Sequence, residues 1–282
     1  MFGKLELKKN LSQQKIEEII FQYIRNNLIY QAISQNENIS KSTAYNVISN
    51  FEFNNTYNDN LKPIEDIIYT DTVYIKWIWA LTIFNSWYYR KPILWIWSEH
   101  ERKQTYIEWF KILENKWWII KWVVIDIMRW LKNYLESKNI LVQYCTFHQK
   151  MIMRRYLTKN PKLEQNKDLK DIWLCVWKCK LKTIKEWLND WHKRNENWLS
   201  EKNENWAYVH EKTRKAYRSL KNNLENLYTY EKYPELWFET TNNLSEWINS
   251  LLKDKFKIHR WLKWKKKKNL INYLLYNWYF NN

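Results

Sequence analysis

The sequence predicts a mixed α/β fold, and three features lead to that prediction. Hydrophobic residues make up 45% of the 282 residues, which is enough for a substantial core. The middle of the chain carries β-branched and aromatic residues at the density of strands. Apolar residues recur at helical spacing before and after that region. The length suits one large domain, or a medium domain with a small appendage.

Residues 1–55 are predicted to form a small helical domain of the helix-turn-helix type. Helical spacing runs through residues 14–50, and a polar turn divides its second half. Ser40 or Ser42 would cap the helix after that turn. Lys41, Ser42 and Thr43 near its start could then contact DNA in the major groove. An ordinary helical hairpin is the alternative interpretation.

Residues 56–282 are predicted to form the larger domain. Three antiparallel strands within about 66–98 are followed by a helix over 99–115, a strand ending at Asp126 and a helix after it. A short strand and a helix to about Leu157 complete the order β-β-β-α-β-α-β-α. That order is typical of an RNase H-like fold.

The remainder of the larger domain is predicted to be helical. Residues at about 160–236 are heavily charged and have no strand pattern, so we expect an all-helical insertion there. A further helix begins near Thr241 and carries Glu246. A basic segment and a last helix, Asn269 to Tyr279, follow it.

The charge balance indicates a polyanionic partner. Lys and Arg number 47 against 30 Asp and Glu, which gives a formal net charge of +17. DNA or RNA is the leading candidate, with a membrane surface or simple solubility as alternatives. The best apolar stretch is interrupted by Lys121 and Asp126, so no membrane span is expected. The first residues lack a signal-peptide core, and three cysteines form no disulfide framework, so we expect a cytoplasmic, nucleoid-associated protein.

Tryptophan and glycine occur in unusual numbers. The chain has 21 Trp and one Gly, whereas roughly 7% Gly is usual and would give about 20. Trp117 and Trp118 fall between a helix pattern and a strand pattern, and Trp87 falls at an expected hairpin tip, where turns favour glycine. We hypothesise that many Trp are UGA codons read as glycine in an AT-rich host. The alternative is a truly Trp-rich protein that stacks aromatic rings on bases.

Three acidic residues form the candidate catalytic set. Asp71 lies in the first predicted strand and Asp126 at the end of the fourth, and those strands are neighbours in an RNase H-like sheet. Two carboxylates at close range repel unless a cation lies between them. Oxygen ligands favour Mg²⁺ or Mn²⁺, and a pair of such ions promotes phosphodiester chemistry. Glu246 on a helix would complete the site, although each acid alone is more often a solvated residue.

Three segments resemble bacterial transposases of the Mutator-like (MULE) DDE superfamily. They are VVIDIMRWLK, VQYCTFHQKMIMRRYLTKNPKLE and TTNNLSEWINSLLKDKFKIHRWLKWKKKK. The resemblance covers about residues 66–282 and is most specific in its last two blocks. It implies an RNase H-like fold, a helical insertion between the second Asp and the Glu, and Mg²⁺-dependent transposition.

The resemblance also bears on single residues. It assigns Asp71, Asp126 and Glu246 to the acidic triad and makes His148 of the C-x2-H motif a neighbour of the active site. Relatives commonly have glycine at the positions of three tryptophans and one isoleucine of this chain: Trp130, Trp247, Trp261 and Ile127. Recoding would explain the tryptophans but not the isoleucine.

Cys145 and His148 allow three interpretations. Their spacing could hold a metal together with two further ligands, but no second pair of suitable spacing is evident. The family resemblance favours His148 as a contact of the scissile phosphate. A structural pair beside the sheet is the third possibility.

Basic residues near these motifs are candidate contacts of the DNA backbone. The segment from Lys253 to Lys268 contains eight Lys and one Arg against one acid. Such residues add salt-dependent affinity without reading sequence, although a solvated face is the usual role of a lysine run. The candidates are Arg154, Arg155, Lys253, Lys255, Lys257, Arg260, Lys263, Lys265 and Lys266.

Together these patterns predict a DNA transposase that cleaves strands and transfers them at element ends with Mg²⁺ or Mn²⁺. Its partners would be terminal-repeat and target DNA, and holding two ends together calls for a homodimer or a larger assembly. A catalytically inactive DNA-binding regulator and a plain RNase H-like nuclease are the alternatives.

Overall fold

The structure is a computed structural model that describes residues 11–75, 79–234, 240–241, 243–260 and 262–278. Its strands pair both antiparallel and parallel and alternate with helices, which confirms the predicted mixed α/β class. The chain divides into two compact units, Met1–Ile119 with Asn243–Asn282, and Ile120–Asn242. No described helix has the length and apolar character that crossing a membrane requires.

The bounds of the elements are as follows. The strands are β1 (Glu65–Ile75), β2 (Trp79–Ser86), β3 (Lys91–Ser98), β4 (Ile119–Ile125) and β5 (Leu141–Tyr144). The helices are α1 (Gln13–Ile24), α2 (Tyr30–Asn36), α3 (Lys41–Asn50), α4 (Lys103–Asn115), α5 (Arg129–Ser137), α6 (Thr146–Leu157), α7 (Glu164–Leu174), α8 (Leu181–Ser200), α9 (Glu211–Leu227), α10 (Asn243–Ile258) and α11 (Trp264–Tyr276), with a 3₁₀ turn at Thr229–Lys232.

The first unit contains the three predicted antiparallel strands. β2 pairs with β1 on one side and with β3 on the other, so that Ile83 lies opposite both Asp71 and Trp95. Because β2 has neighbours on both edges and nearly all of its side chains are buried, it forms the centre of this unit. The turn after β2 takes its left-handed residue at Arg90 rather than at Trp87.

The N-terminal helices lie at the predicted residues and belong to the core of the first unit. Ser40 caps α3 by accepting a hydrogen bond from the backbone N–H of Thr43 at 3.1 Å. Ile20 of α1 and Val47 of α3 are fully buried in the cluster that also contains residues of β1–β3, α10 and α11. The helix-turn-helix assignment and the boundary at residue 55 stay predictions.

The last helix of the first unit begins earlier than predicted. α10 continues to Ile258 and α11 begins at Trp264, whereas the sequence pattern places the start of the last helix at Asn269. Lysine has good helix propensity, so the run Lys265–Lys268 forms the first turns of α11. Most of the basic segment is therefore helical.

The second unit is built on a parallel pair of strands and a group of helices. β4 and β5 pair with Ile125 opposite Tyr144, and α5 makes the crossover between them. Leu131 and Leu135 of α5 are fully buried. Between residues 160 and 232 the described elements are helices, joined by loops at 175–180 and 201–210, and the second loop contains one β-bridge between Lys202 and Tyr208. That this region is the predicted insertion stays a prediction.

Two helices end in the same turn with different residues at its critical position. After α5, Asn139 has φ 59°, and the N–H of Ile140 donates to the carbonyl of Leu135 at 3.0 Å. After α4, Trp117 has φ 68°, and the N–H of Trp118 donates to the carbonyl of Leu113 at 3.1 Å. This is the Schellman turn, whose left-handed position is usually Gly and sometimes Asn.

The tryptophans fall into distinct structural classes. Trp117 and Trp206 have left-handed φ and are 84% and 79% exposed. Trp130 and Trp247, where relatives have glycine, lie within helices α5 and α10 at ordinary φ, and Trp261 lies outside the described residues. Four others are fully buried core residues: Trp95, Trp109, Trp122 and Trp191.

Candidate active site

Asp126 is placed by the end of β4. The preceding residues Val123, Val124 and Ile125 are fully buried, so the strand is fixed in the core and Asp126 is the first residue beyond it. The N–H of Cys145, just after β5, donates to the carbonyl of Ile125 at 2.8 Å. The start of α6 is thereby held next to Asp126.

His148 lies in the first turn of α6 and pairs with Asp126. Its Nδ1 is 2.7 Å from Oδ1 of Asp126, and each side chain is 28% exposed. Burial disfavours the charged imidazole, but hydrogen bonds to Asp126 and Cys145 outweigh burial and raise the pKa of His148 to about 11. The pair is therefore an imidazolium beside a carboxylate, and the three interpretations of Cys145 and His148 stay open.

Asp71 lies in β1 and is held by two donors within the first unit. Asn249 donates from Nδ2 to Oδ2 of Asp71 at 2.6 Å, and the N–H of Thr72 donates to Oδ1 at 2.8 Å. Asp71 is only 7% exposed. Two neutral donors to a buried carboxylate stabilise its charged form.

Glu246 lies on the helix that supplies Asn249. α10 packs against β1, and Glu246 precedes Asn249 by three residues, so the two share one face of the helix. Ser245, beside Glu246, accepts a hydrogen bond from Nδ2 of Asn85 in β2 at 2.8 Å. The first turn of α10 is thus fixed to β1 and β2, and a carboxylate there interacts favourably with the helix dipole.

The donor atoms suit a hard divalent cation. Asp71 and Asp126 offer carboxylate oxygens, and a ring nitrogen of His148 could join them only after the imidazolium loses a proton. Oxygen-rich sets with few nitrogens are typical of Mg²⁺ and Mn²⁺ sites rather than of structural zinc. Cys145 is completely buried behind the imidazole, which makes the sulfur a partner of His148.

Asn249 and Asn85 were not identified from the sequence. Asn249 stands three residues after Glu246, and that spacing on one helix face is the signal that could have revealed it. Asn85 is a buried strand residue whose contact with Ser245 joins residues far apart in the chain. Sequence spacing gives no indication of such a contact.

The candidate DNA-binding residues lie in three places. Lys41 and Ser42 are exposed in the first turn of α3, with Thr43 half-buried beside them, and Arg154 and Arg155 are exposed in the last turn of α6. Along α10 and α11 and the segment between them, Lys253, Lys257, Arg260, Lys263 and Lys265 are exposed and Lys266 is half-buried.

Lys255 differs from the other basic candidates. It is 4% exposed, and its Nζ donates to the backbone carbonyl of Arg25 at 2.6 Å and to Oδ1 of Asn27 at 2.7 Å. The prediction that Lys255 contacts DNA finds no support in this position, because its amino group is occupied inside the first unit. Its long apolar stem and buried charge connect α10 to the end of α1.

Comparison with solved structures finds chains of similar fold. The chain is similar to the Drosophila P element transposase strand transfer complex, with 10% sequence identity, a TM-score of 0.38, and coverage of 94% of this chain and 78% of that chain. No protein-family model and no curated protein matches the chain. A similarity with that score supports no inference about activity, so the function is judged from the residues themselves.

Proposed function

We propose that the chain is a DNA transposase with an RNase H-like core, and that Asp71, Asp126 and Glu246 bind divalent metal at one catalytic centre. The pairing of Asp126 with His148 carries the proposal, because the second acid and the histidine of the C-x2-H motif were both selected from the sequence. The contact of Asp71 with the helix that carries Glu246 supports it from the first unit.

The two aspartates of the proposed centre are oriented by different neighbouring residues. Asn249 donates to one oxygen of Asp71 and the Thr72 N–H to the other, which fixes the orientation of the carboxylate. Nδ1 of His148 is engaged by Asp126, so Nε2 remains to donate to an oxygen of a phosphate. A bound Mg²⁺ or Mn²⁺ would supply the Lewis acidity that phosphodiester hydrolysis and transesterification need.

The proposal extends to the partners of the chain. The start of α3 would contact terminal-repeat DNA, and the exposed lysines of α10 and α11 would contact the phosphate backbone. Two ends must be held during transfer, so we propose a homodimer or a larger assembly. Helices α7–α9 would be the helical insertion of the catalytic domain.

The decisive experiment uses the purified chain with DNA that contains the flanks of its own gene and with Mg²⁺ or Mn²⁺. The expected products are nicked flanks and joined strands. Asp126→Asn should abolish both, whereas Asp171→Asn, an exposed acid on α7 of the same unit, should leave them unchanged. Binding of the flanks without cleavage under any metal would favour the inactive regulator, and cleavage without joining would favour a plain nuclease.

We also infer that Trp117 and Trp206 occupy glycine positions. Both have left-handed φ, a conformation that costs a bulky residue roughly 1–2 kcal/mol and glycine nothing. Both rings are mostly exposed, so neither residue is explained by packing. The codons at these positions test the inference: UGA at both supports recoding as glycine, and UGG at both contradicts it.

A further inference from the structure

A groove lined by aromatic rings and cations lies in the first unit, on β1, β2, α10 and α11. It has a volume of about 810 Å³, and its walls include Tyr74, Trp79, Phe256 and Trp264. The rings of Trp79 and Trp264 are stacked, with centroids 5.3 Å apart and planes 20° apart. Trp97 meets the edge of Trp264 at 5.2 Å. Phe256 also stacks on Trp264, with centroids 6.3 Å and planes 22° apart, so Trp264 is the middle ring of a three-ring stack whose outer rings are Trp79 and Phe256.

The charged side chains that line the groove are all cationic, and one of them, Lys257, also pairs with Asp254 at 3.6 Å. Lys253, Lys257, Arg260 and Lys267 line it, and no acidic side chain does so among the described residues. Lys268 adds a further cation, with its Nζ 5.6 Å from the ring centre of Trp79 and 5.7 Å from that of Trp97. A ligand with flat π-faces and regularly spaced negative charges would match both features.

We propose that this groove binds unpaired DNA, with bases stacked on the outer rings of the three-ring stack and phosphates contacting Lys257 and Arg260. Aromatic platforms in a basic groove hold single strands without reading their sequence. A duplex fits less well, because its bases are already stacked on one another and present only their edges. The choice of DNA rather than RNA rests on the proposed function, which exposes unpaired bases at cleaved ends.

The two tryptophans of the stack differ from Trp117 and Trp206. Trp79 lies in strand β2 and Trp264 begins α11, and neither has a left-handed φ that would favour glycine. The backbone therefore gives no reason to replace these residues by glycine. Glycine at both positions in the chain isolated from its own host, read by mass spectrometry, would overturn the proposal.

The test measures fluorescence anisotropy of a labelled oligothymidylate of about 12 nucleotides, a length within the usual site sizes. EDTA is present, so cleavage does not contribute. Trp264→Leu, which keeps an apolar side chain but removes the middle ring that supports the two outer rings, should weaken binding by about tenfold or more. Trp187→Leu, at a tryptophan of α8 that is 41% exposed, is the matched control and should not change it.

A second pair of variants tests the charges without altering the aromatic walls. Lys257→Gln should lower the slope of log affinity against log salt by about 0.7, the value for one phosphate contact with a single strand. Lys111→Gln, at an exposed lysine of α4, should leave the slope unchanged. If circular dichroism shows that Trp264→Leu does not fold, the comparison of Lys257→Gln with Lys111→Gln decides whether the groove binds the strand.

Three outcomes would overturn the proposal. They are equal affinities for Trp264→Leu and Trp187→Leu, tighter binding of a duplex or of oligouridylate than of the DNA strand, and salt slopes that are the same for Lys257→Gln and Lys111→Gln. Binding without metal is independent of catalysis. A chain that binds the strand through the groove but never cleaves would contradict the transposase proposal and leave this one intact.

Discussion

The two aspartates of the candidate site are held in chemically different ways. Asp71, in the first unit, is buried and accepts hydrogen bonds from a neutral amide and a backbone N–H. Asp126, in the second unit, is partly exposed and lies against a charged imidazole. A neutral donor orients a carboxylate and leaves its negative charge in place. An imidazolium also orients the carboxylate, but its positive charge neutralises the negative charge. Under the proposed function, the first arrangement would orient a metal ligand, and the second would also supply a cation for contact with phosphate.

Removing either carboxylate is expected to have the largest effect. Asp71→Asn and Asp126→Asn should each lower the rate of metal-dependent strand cleavage on the order of a thousandfold, because each variant loses a charged ligand worth several kcal/mol of metal-assisted stabilisation. Single-turnover cleavage of labelled flank DNA measures both rates. Near-normal cleavage by either variant would remove that aspartate from the proposed centre.

Replacing Asn249 or His148, which contact the two aspartates, should show that these two residues have different roles. Asn249→Ala and His148→Ala should each reduce cleavage about 10- to 100-fold, the range for residues that orient metal ligands. Asn249→Ala should act chiefly through weaker Mn²⁺ binding, since it leaves Asp71 misoriented. His148→Ala should also weaken DNA binding at saturating Mn²⁺. Identical metal titrations for the two variants would contradict the distinction between an orienting amide and a phosphate-contacting imidazolium.

Another histidine, His259, has a lowered pKa, whereas the pKa of His148 is raised. Burial and the neighbouring Lys255 and Lys267 lower the pKa of His259 to about 4, and its ring packs on Tyr23 with centroids 4.6 Å apart. The unfolded chain binds a proton near pH 6.5 and the folded one only near pH 4, so folding is favoured above pH 6.5 and weakened as the pH falls from 6.5 to 4.

His259→Gln should remove that part of the pH dependence. We expect about 2 kcal/mol less loss of unfolding free energy between pH 7 and pH 4 than in the parent chain, after allowance for partial solvent exposure. Urea unfolding at a series of pH values measures the difference. Parallel pH profiles for parent and variant would show that His259 is equally protonated in both states.

The smallest effects concern the two Schellman turns. Trp117→Gly should raise the unfolding free energy by about 1 kcal/mol, because glycine adopts left-handed φ without strain and the exposed indole contributes little packing. Asn139→Gly should change it less, since Asn already tolerates that conformation. Urea midpoints of the two variants give the comparison, and a loss of stability for Trp117→Gly would assign the indole a contact that outweighs the strain.

Local patterns predicted most elements but not the contacts between distant residues. Alternating and continuous apolar runs located β1–β5, since each strand has its own pattern of burial, and the cap at Ser40 was visible in the sequence. The start of α11 was placed too late because its first turns are lysines without an apolar stripe.

The candidate site shows the same limit. Asp126 was selected because it closes a predicted strand, and His148 because it belongs to the C-x2-H motif of the family resemblance; the structure places the two side chains 2.7 Å apart. Asn249 was missed because its role depends on β1 and α10 meeting, and no local pattern reports that. Lys255 was taken for a surface cation, since a lysine whose amino group is buried looks the same in sequence as one in solvent.

If codon 117 is UGA, the residue at the left-handed turn of Trp117 depends on the genetic code of the cell that makes the protein. A cell that reads UGA as stop would make a chain that ends with α4, before Asp126, His148 and Glu246. A cell that reads it as tryptophan would make a full-length chain with a strained turn. Only a cell that reads UGA as glycine would make a full-length chain without strain in this turn. If the proposed transposase moves its own gene between genomes, the genetic code of the recipient cell would then limit the hosts in which the unstrained protein is made.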